Sequence, residues 1–321
     1  MPAVTADTLV LPRVVTPPDA VDRPAVQVAD SMRALEGAGF PVRRPFPRPG
    51  FHHSGSDPFL LLDHMVAAYE PQEAKGAPWH PHRGFETVTY LMDGTFVHHD
   101  SHGGGGRIDD GDTQWMTAGS GILHDELPSE ELVVKGGYFN GVQLWVNLPK
   151  TAKWTQPRYQ DIKGGRLTLL SSDDGGALVR LIAGNLGEHA GPGVTHTPIT
   201  LAHASLSPGA RLRLPWSPDF SAMAFAFAGN GTAGPHARPF AESQLTVFGP
   251  GDAIAVAADK TQNTRTGQFE VLLLGGLPIG EPISRYGPFV MNTRAEIMQA
   301  VEDFQAGRMG TVPAAELGDD A

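Results

Sequence analysis

Trp79-His80-Pro81-His82-Arg83-Gly84-Phe85-Glu86 is the run of this sequence that says most about the fold. In an extended strand, residues two apart project to one face, so His80 and His82 present two imidazoles side by side. The same spacing recurs at His124-Asp125-Glu126, where His124 and Glu126 share a face and Asp125 takes the other. Two strands of one barrel can bring such pairs together as three histidines and one carboxylate. The plainer alternative makes the histidines hydrogen-bonded structural residues and Glu126 a turn residue ahead of Pro128. Two face-matched pairs on separate strands favour the ligand reading over it.

The flanking sequence supports strands. Short β-branched or aromatic runs alternate with glycine clusters, among them Thr87 to Leu91, Gly94 to Val97, Thr113 to Met116 and Gly141 to Leu148. In the last of these, Val142, Leu144, Val146 and Leu148 lie on one face, and Gln143, Trp145 and Asn147 lie on the other. A mixed second face suits a barrel strand. With 39 glycines and 28 prolines in 321 residues, the chain is turn-rich and reads as all-β, a sandwich or barrel.

Pro149 stops that strand, and a polar, proline-containing stretch follows to Arg166, placing a boundary near 150. The second half repeats the style, with apolar runs at Leu178 to Ala183, Ile199 to Leu206, Met223 to Ala228, Leu245 to Phe248 and Phe269 to Leu274. A weak echo links Gly111-Asp112, ahead of Thr113 to Met116, with Gly251-Asp252, ahead of Ala253 to Val256. Residues 1–30 read as an N-terminal arm, 31–150 as a first barrel carrying the metal site, 151–291 as a second barrel without one, and 292–321 as a C-terminal helix and tail. Within that scheme Met32 to Gly39 is expected to form one helical turn. Ile297, Ala300, Val301 and Phe304 follow helical spacing, with Gly307 as the stop.

Composition narrows the chemistry. There are no cysteines, which excludes disulfides, thiolate nucleophiles and Cys-ligated metals, so any metal falls to His, Asp and Glu. Lys plus Arg (24) against Asp plus Glu (35) gives a net charge of -11, spread along the chain, which argues against direct nucleic-acid binding. No signal-peptide core or long apolar run is present, so the expectation is a cytoplasmic protein without membrane contact. Of the 13 histidines, nine fall between His52 and His124. His98, His99 and His102 sit beside Gly103 to Gly106 and are not expected to be ligands; at least one is expected to face solvent and the rest to orient a ligand ring. That glycine run lacks the Gly-Lys-Ser/Thr of a phosphate loop and reads as a hairpin. His52, His53 and His64 have no face-matched carboxylate, and His189, His196, His203 and His236 are scattered, so a second metal site is not expected.

Imidazoles with one carboxylate suit one divalent metal, Fe(II), Mn, Ni or Cu, with Zn also compatible. Four protein ligands leave two octahedral positions for substrate and dioxygen.

The segments His80 to Val88, Gly111 to His124, Gln143 to Pro149 and Tyr286 to Thr293 together resemble the pirin family of bicupins, and the likeness spans roughly residues 40 to 307. The resemblance implies two tandem cupin (jelly-roll-like) barrels with a C-terminal helix, and one metal, usually iron, in the first barrel. The positions matching the family's ligands are His80, His82, His124 and Glu126. Some pirin-like proteins are quercetinases, which open the central ring of a flavonol with dioxygen and release carbon monoxide; others regulate transcription factors or metabolic enzymes. The leading expectation is therefore a quercetin 2,3-dioxygenase-type oxidoreductase. In it Glu126 is the catalytic base, a flavonol-like aromatic and O2 are the substrates, and Phe85, Tyr90, Met92, Trp115 and Met116 are candidate pocket walls. The competing expectation is a non-enzymatic, iron-dependent redox sensor that binds a protein partner. A cupin isomerase or storage-like protein with a structural metal ranks third.

Overall fold

The computed structural model describes residues 4–312; residues 1–3 of the expected arm and 313–321 of the expected tail lie outside the described residues. Strands account for 49% of the chain and helix for 8%, which settles the all-β class. No helix among the described residues is long and apolar enough to cross a membrane.

By its contacts the chain forms two compact units, one of residues 33–42, 63–161 and 279–321, the other of residues 1–32, 43–62 and 162–278. The first unit is built on a four-stranded sheet in the order Ala77–His82, Ile122–Pro128, Phe96–Asp100, Gly105–Ile108. Its seven-stranded partner begins Arg158–Ile162, Thr113–Thr117, Phe85–Asp93, Gly137–Asn147 and ends with Met32–Glu36. The second unit has the same plan. Its four-stranded sheet runs Arg211–Pro215, Ala253–Ala258, Asn230–Ala233, Arg238–Ala241, and its seven-stranded sheet runs from Ala25–Asp30 to Thr168–Ser171. Residues 25–30, expected within an arm, thus form an edge strand paired with Gln244–Phe248.

Two sequence expectations need correction. Met32–Glu36 is a strand, not a helical turn. It enters a tight hairpin in which Gly37 (φ 51°) and Gly39 (φ 103°) both take left-handed conformations, and the Gly39 N–H donates to the Glu36 carbonyl at 2.8 Å. The Gly-Asp echo is also misaligned: Thr113–Thr117 belongs to a seven-stranded sheet, and Ala253–Ala258 to a four-stranded one. The topological counterpart of Ala253–Ala258 is Ile122–Pro128, the strand that carries His124.

That equivalence shows how the interiors differ. In the second unit Leu212 stands opposite Val256 and Leu214 opposite Ile254, and all four join the apolar core with Leu181, Ala204 and Val271. In the first unit the corresponding pair of strands sets His80 opposite His124. The helix anticipated from Ile297 to Phe304 is present as Arg294–Gln305, closed at its start by a reciprocal Thr293–Glu296 capping box and followed by Gly307 at φ 70°. Ile297 and Ala300 pack with Leu123, Phe289, Met291 and Met309, against the side of the sheet opposite the histidines.

Behind the His80 strand the backbone is braced. Gly84 (φ 89°) lies so close to the chain at Val290 that a Cβ would sit 2.0 Å from the Val290 carbonyl oxygen. Lys153, 1% exposed, donates from Nζ to the carbonyls of Gly84 (2.8 Å) and Val290 (3.0 Å) and to Asn147 Oδ1 (2.8 Å). Arg83 donates to Ser120 O and Asp303 Oδ2, both at 2.6 Å, and so ties the histidine motif to the C-terminal helix. Burial lowers the Lys153 pKa to about 8, against the opposing pull of Glu281 and Glu296.

Replacing Lys153 by Met strips three buried acceptors of their donor and is expected to cost roughly 2–4 kcal/mol in urea unfolding at pH 7. The unfolded chain holds the lysine proton up to its ordinary value of 10.5, so between pH 8 and 10.5 the unfolded state binds more protons. Wild-type stability relative to Lys153→Met should therefore rise across that window. A gap that narrows would contradict the assignment.

Candidate metal centre

The ladder pairing does the first part of the work. His124 faces His80 and Ile122 faces His82 across two antiparallel strands, so three imidazoles leave one face of the sheet within two residues of one another. Their rings lie 4.4 Å (His80–His124), 4.7 Å (His80–His82) and 5.0 Å (His82–His124) apart, centroid to centroid. One nitrogen from each comes within 4.8 Å of the other two, and the group could hold a metal ion. His80 Nε2 and His82 Nε2 are 3.0 Å apart.

Carbonyls on the far side of two rings orient them. His80 Nδ1 lies 2.8 Å from Pro78 O, and His82 Nδ1 lies 3.4 Å from Pro288 O. A carbonyl can only accept, so each Nδ1 carries the proton and each Nε2 keeps its lone pair for the centre. His124 is 0% exposed, and neither ring nitrogen has a hydrogen-bond partner among the described residues. Native proteins seldom leave such atoms unpaired, and a cation is the partner three converging lone pairs suit. Burial lowers the pKa of all three rings; for His124 the charges of His80 and His82 add to it. The imidazoles are thus held in the neutral form that ligates.

Glu126 stands apart from that group: it is not among the side chains whose donor atoms lie within 4.8 Å of one another. The ladder to Ala77–His82 shifts register between His124 and Glu126, with the extra residue on the Ala77–His82 strand, while the pairing of His124 and Glu126 with Phe96–Asp100 stays regular. Its Oε1 accepts from Thr89 Oγ1 at 2.8 Å and its Oε2 from Gln143 Nε2 at 3.1 Å. Burial, with the Asp125 charge adding, raises its pKa to about 7, against the pull of those two donors. Asp125 points to the opposite face, where its Oδ1 accepts from the His99 backbone N–H (2.9 Å) and lies 3.0 Å from His99 Nδ1. His99 is thereby kept away from the centre.

Of the five candidate wall residues, Phe85 meets His82 at 5.1 Å, and Met116, paired with Thr87, shares the inward face with Thr89. Tyr90, Met92 and Trp115 fall on the other face by alternation. The polar side of Gly137–Asn147 proves to be the site side. Trp145 lies 4.3 Å from Phe85 and 5.3 Å from His82, and the Arg285 guanidinium stacks 4.8 Å above it. Thr89, Gln143, Trp145 and Arg285 were not singled out from sequence; the inward face shared by Gln143 and Trp145 was the signal available.

The Gly103 to Gly106 run forms the hairpin anticipated, between Phe96–Asp100 and Gly105–Ile108. In the second unit His203 Nε2 lies 3.1 Å from Glu270 Oε2, a buried pair.

Residues 39–146 match the Pirin family model, and residues 201–310 match the model of the pirin C-terminal cupin domain. A Pseudomonas aeruginosa protein provisionally named a quercetin 2,3-dioxygenase is 41% identical over 276 residues, spanning 85% of this chain and 93% of its own. Human pirin is 37% identical over 283 residues, spanning 87% of this chain and 91% of its own. A crystal structure of quercetin 2,3-dioxygenase from Acinetobacter baumannii aligns at a TM-score of 0.82 and 34% identity, covering 91% of this chain and 100% of that one. With both barrels matched in sequence and the architecture matched in space, the chain belongs to the pirin family and has its two-cupin fold.

Proposed function

We propose that the chain is a metal-dependent dioxygenase of the quercetin 2,3-dioxygenase type. The observation that carries the reading is the convergence of three neutral imidazoles, two buried and that of His80 half-buried, on one point, with a buried carboxylate on the same face. His80, His82 and His124 would hold the ion through ring nitrogens, with Glu126 as fourth ligand or as base. A divalent ion, Fe(II) in this reading with Mn, Ni, Cu or Zn compatible, supplies Lewis acidity at the substrate's hydroxyl oxygen and reactivity toward dioxygen.

The protein's own part is positioning and proton transfer. Phe85 and Trp145 offer flat apolar surface for a ring system and keep water from the histidines. Glu126 accepts the proton of an enolic hydroxyl at Oε2, and Thr89 and Gln143 fix the carboxylate for that transfer. Ring opening of the flavonol with O2 then releases carbon monoxide. Homologues carrying the quercetin dioxygenase name support the substrate class.

Oxygen uptake and carbon monoxide release are expected when quercetin is added to anaerobically Fe(II)-reconstituted protein. His82→Ala should abolish turnover, and Glu126→Gln should lower kcat by about 10²- to 10⁴-fold. No turnover in folded, metal-loaded protein would end the dioxygenase reading in favour of an iron-dependent redox-sensing regulator that binds a protein partner.

His124→Ala should lose bound metal under chelator challenge, and His203→Ala should retain it per folded chain. Unchanged metal content in His124→Ala would refute the ligand assignment; loss in His203→Ala would place metal in the second barrel.

A further inference from the structure

His98 is the histidine the proposed mechanism leaves unused, and it is the cross-strand partner of Glu126. Directly opposed residues share a face, so His98 sits on the same inward side as Glu126 and, one step along the ladder, His124. It is 2% exposed, yet neither of its ring nitrogens has a hydrogen-bond partner among the described residues. His99, its neighbour, is fully engaged on the other face by Asp125.

Tyr159 lies across from it. This residue belongs to Arg158–Ile162, in the seven-stranded sheet, and its ring stacks on His98 at 5.3 Å and 25°. Its hydroxyl oxygen is likewise buried and without a hydrogen-bond partner among the described residues. Met116, Ala118 and Ile122 pack around the Tyr159 ring, and Ile122 is the residue opposite His82. The stack therefore joins the two sheets and holds three polar atoms without a partner among the described residues, with His98 Nε2 on the Gly106 side of its ring.

Such atoms are costly. A neutral imidazole has one donor and one acceptor, a phenol has one donor, and burial takes all of them from water. Buried polar groups with no internal partner are retained where something else completes them. We propose that His98 and Tyr159 form a substrate-anchoring pair, hydrogen-bonding the hydroxyl groups of a planar phenolic ligand bound beside His80, His82 and His124. The assignment rests on the dioxygenase reading for its ligand class and adds to it the residues that recognise the ligand's oxygens. Stacking between the two rings fixes the direction in which their polar atoms point, and Glu126 stands next to them to receive the proton.

The test uses Tyr159→Phe, which deletes only the hydroxyl, and His98→Phe, which keeps an aromatic ring without its polar atoms at the cost of a slightly larger one. Three quantities are measured on the full chain: bound metal, thermal midpoint without ligand, and anaerobic affinity for quercetin and for flavone, which lacks the hydroxyls. Both variants should keep wild-type metal content, and Tyr159→Phe should keep or raise the thermal midpoint, because it removes an unrepaid buried hydroxyl. Quercetin affinity should fall at least about tenfold in each, while flavone affinity changes little, so that the preference for the hydroxylated ligand collapses. Unchanged quercetin affinity in both variants overturns the pair, as does an equal loss for quercetin and flavone. A wild-type chain that binds quercetin with this pattern but does not turn it over leaves the pair standing and removes the dioxygenase reading. One that does not bind quercetin removes both.

Discussion

Three imidazoles packed to within 5 Å of one another, two of them fully buried, cannot carry three protons. They must stay neutral, and neutral rings crowded in this way need their lone pairs directed, or the ladder would gain more from ordinary apolar residues. Much of the first unit serves that constraint. Pro78 and Pro288 supply the carbonyls that choose a tautomer, and Gly84 allows the Val290 backbone to come close enough for Pro288 to do so. Arg83 and Lys153 then fasten the braced segment from behind.

The two barrels show what that arrangement costs. On one plan of four-stranded and seven-stranded sheets, the second unit fills the equivalent strand pair with Leu212, Leu214, Ile254 and Val256. Each buried apolar side chain of this kind contributes about 1.5–3 kcal/mol relative to exposure. The first unit gives up such contacts for polar groups, among them the unpaired nitrogens of His98 and His124 and the carboxylate of Glu126. Duplication of a stable fold lets one copy carry chemistry while the other carries apolar packing.

The histidine cluster was legible in the sequence because its information is local: strand alternation places His80 with His82, and a single ladder step brings in His124. The C-terminal helix was legible for the same reason, through its spacing. Glu126 was legible as a neighbour on the right face, but alternation gives a face and not a distance, and its carboxylate is not among the donor atoms grouped with the three histidines. The residues that were missed are non-local. Tyr159, Arg285, Lys153 and the Pro288 carbonyl reach the site from stretches that look like linkers or loops, and only the fold discloses them. Met32–Glu36 was misread because its strand character comes from its hairpin with the next strand and hardly from its own residues.

The first unit is discontinuous: residues 63–161 carry the histidines, and residues 279–321 carry Pro288, Val290 and the partner of Arg83, with most of the second unit encoded between them. During vectorial synthesis the ribosome therefore makes all three histidines long before the carbonyl that orients His82 exists. The second barrel is complete as a sequence before the first is complete as a structure. A correctly oriented centre is consequently a late product of translation.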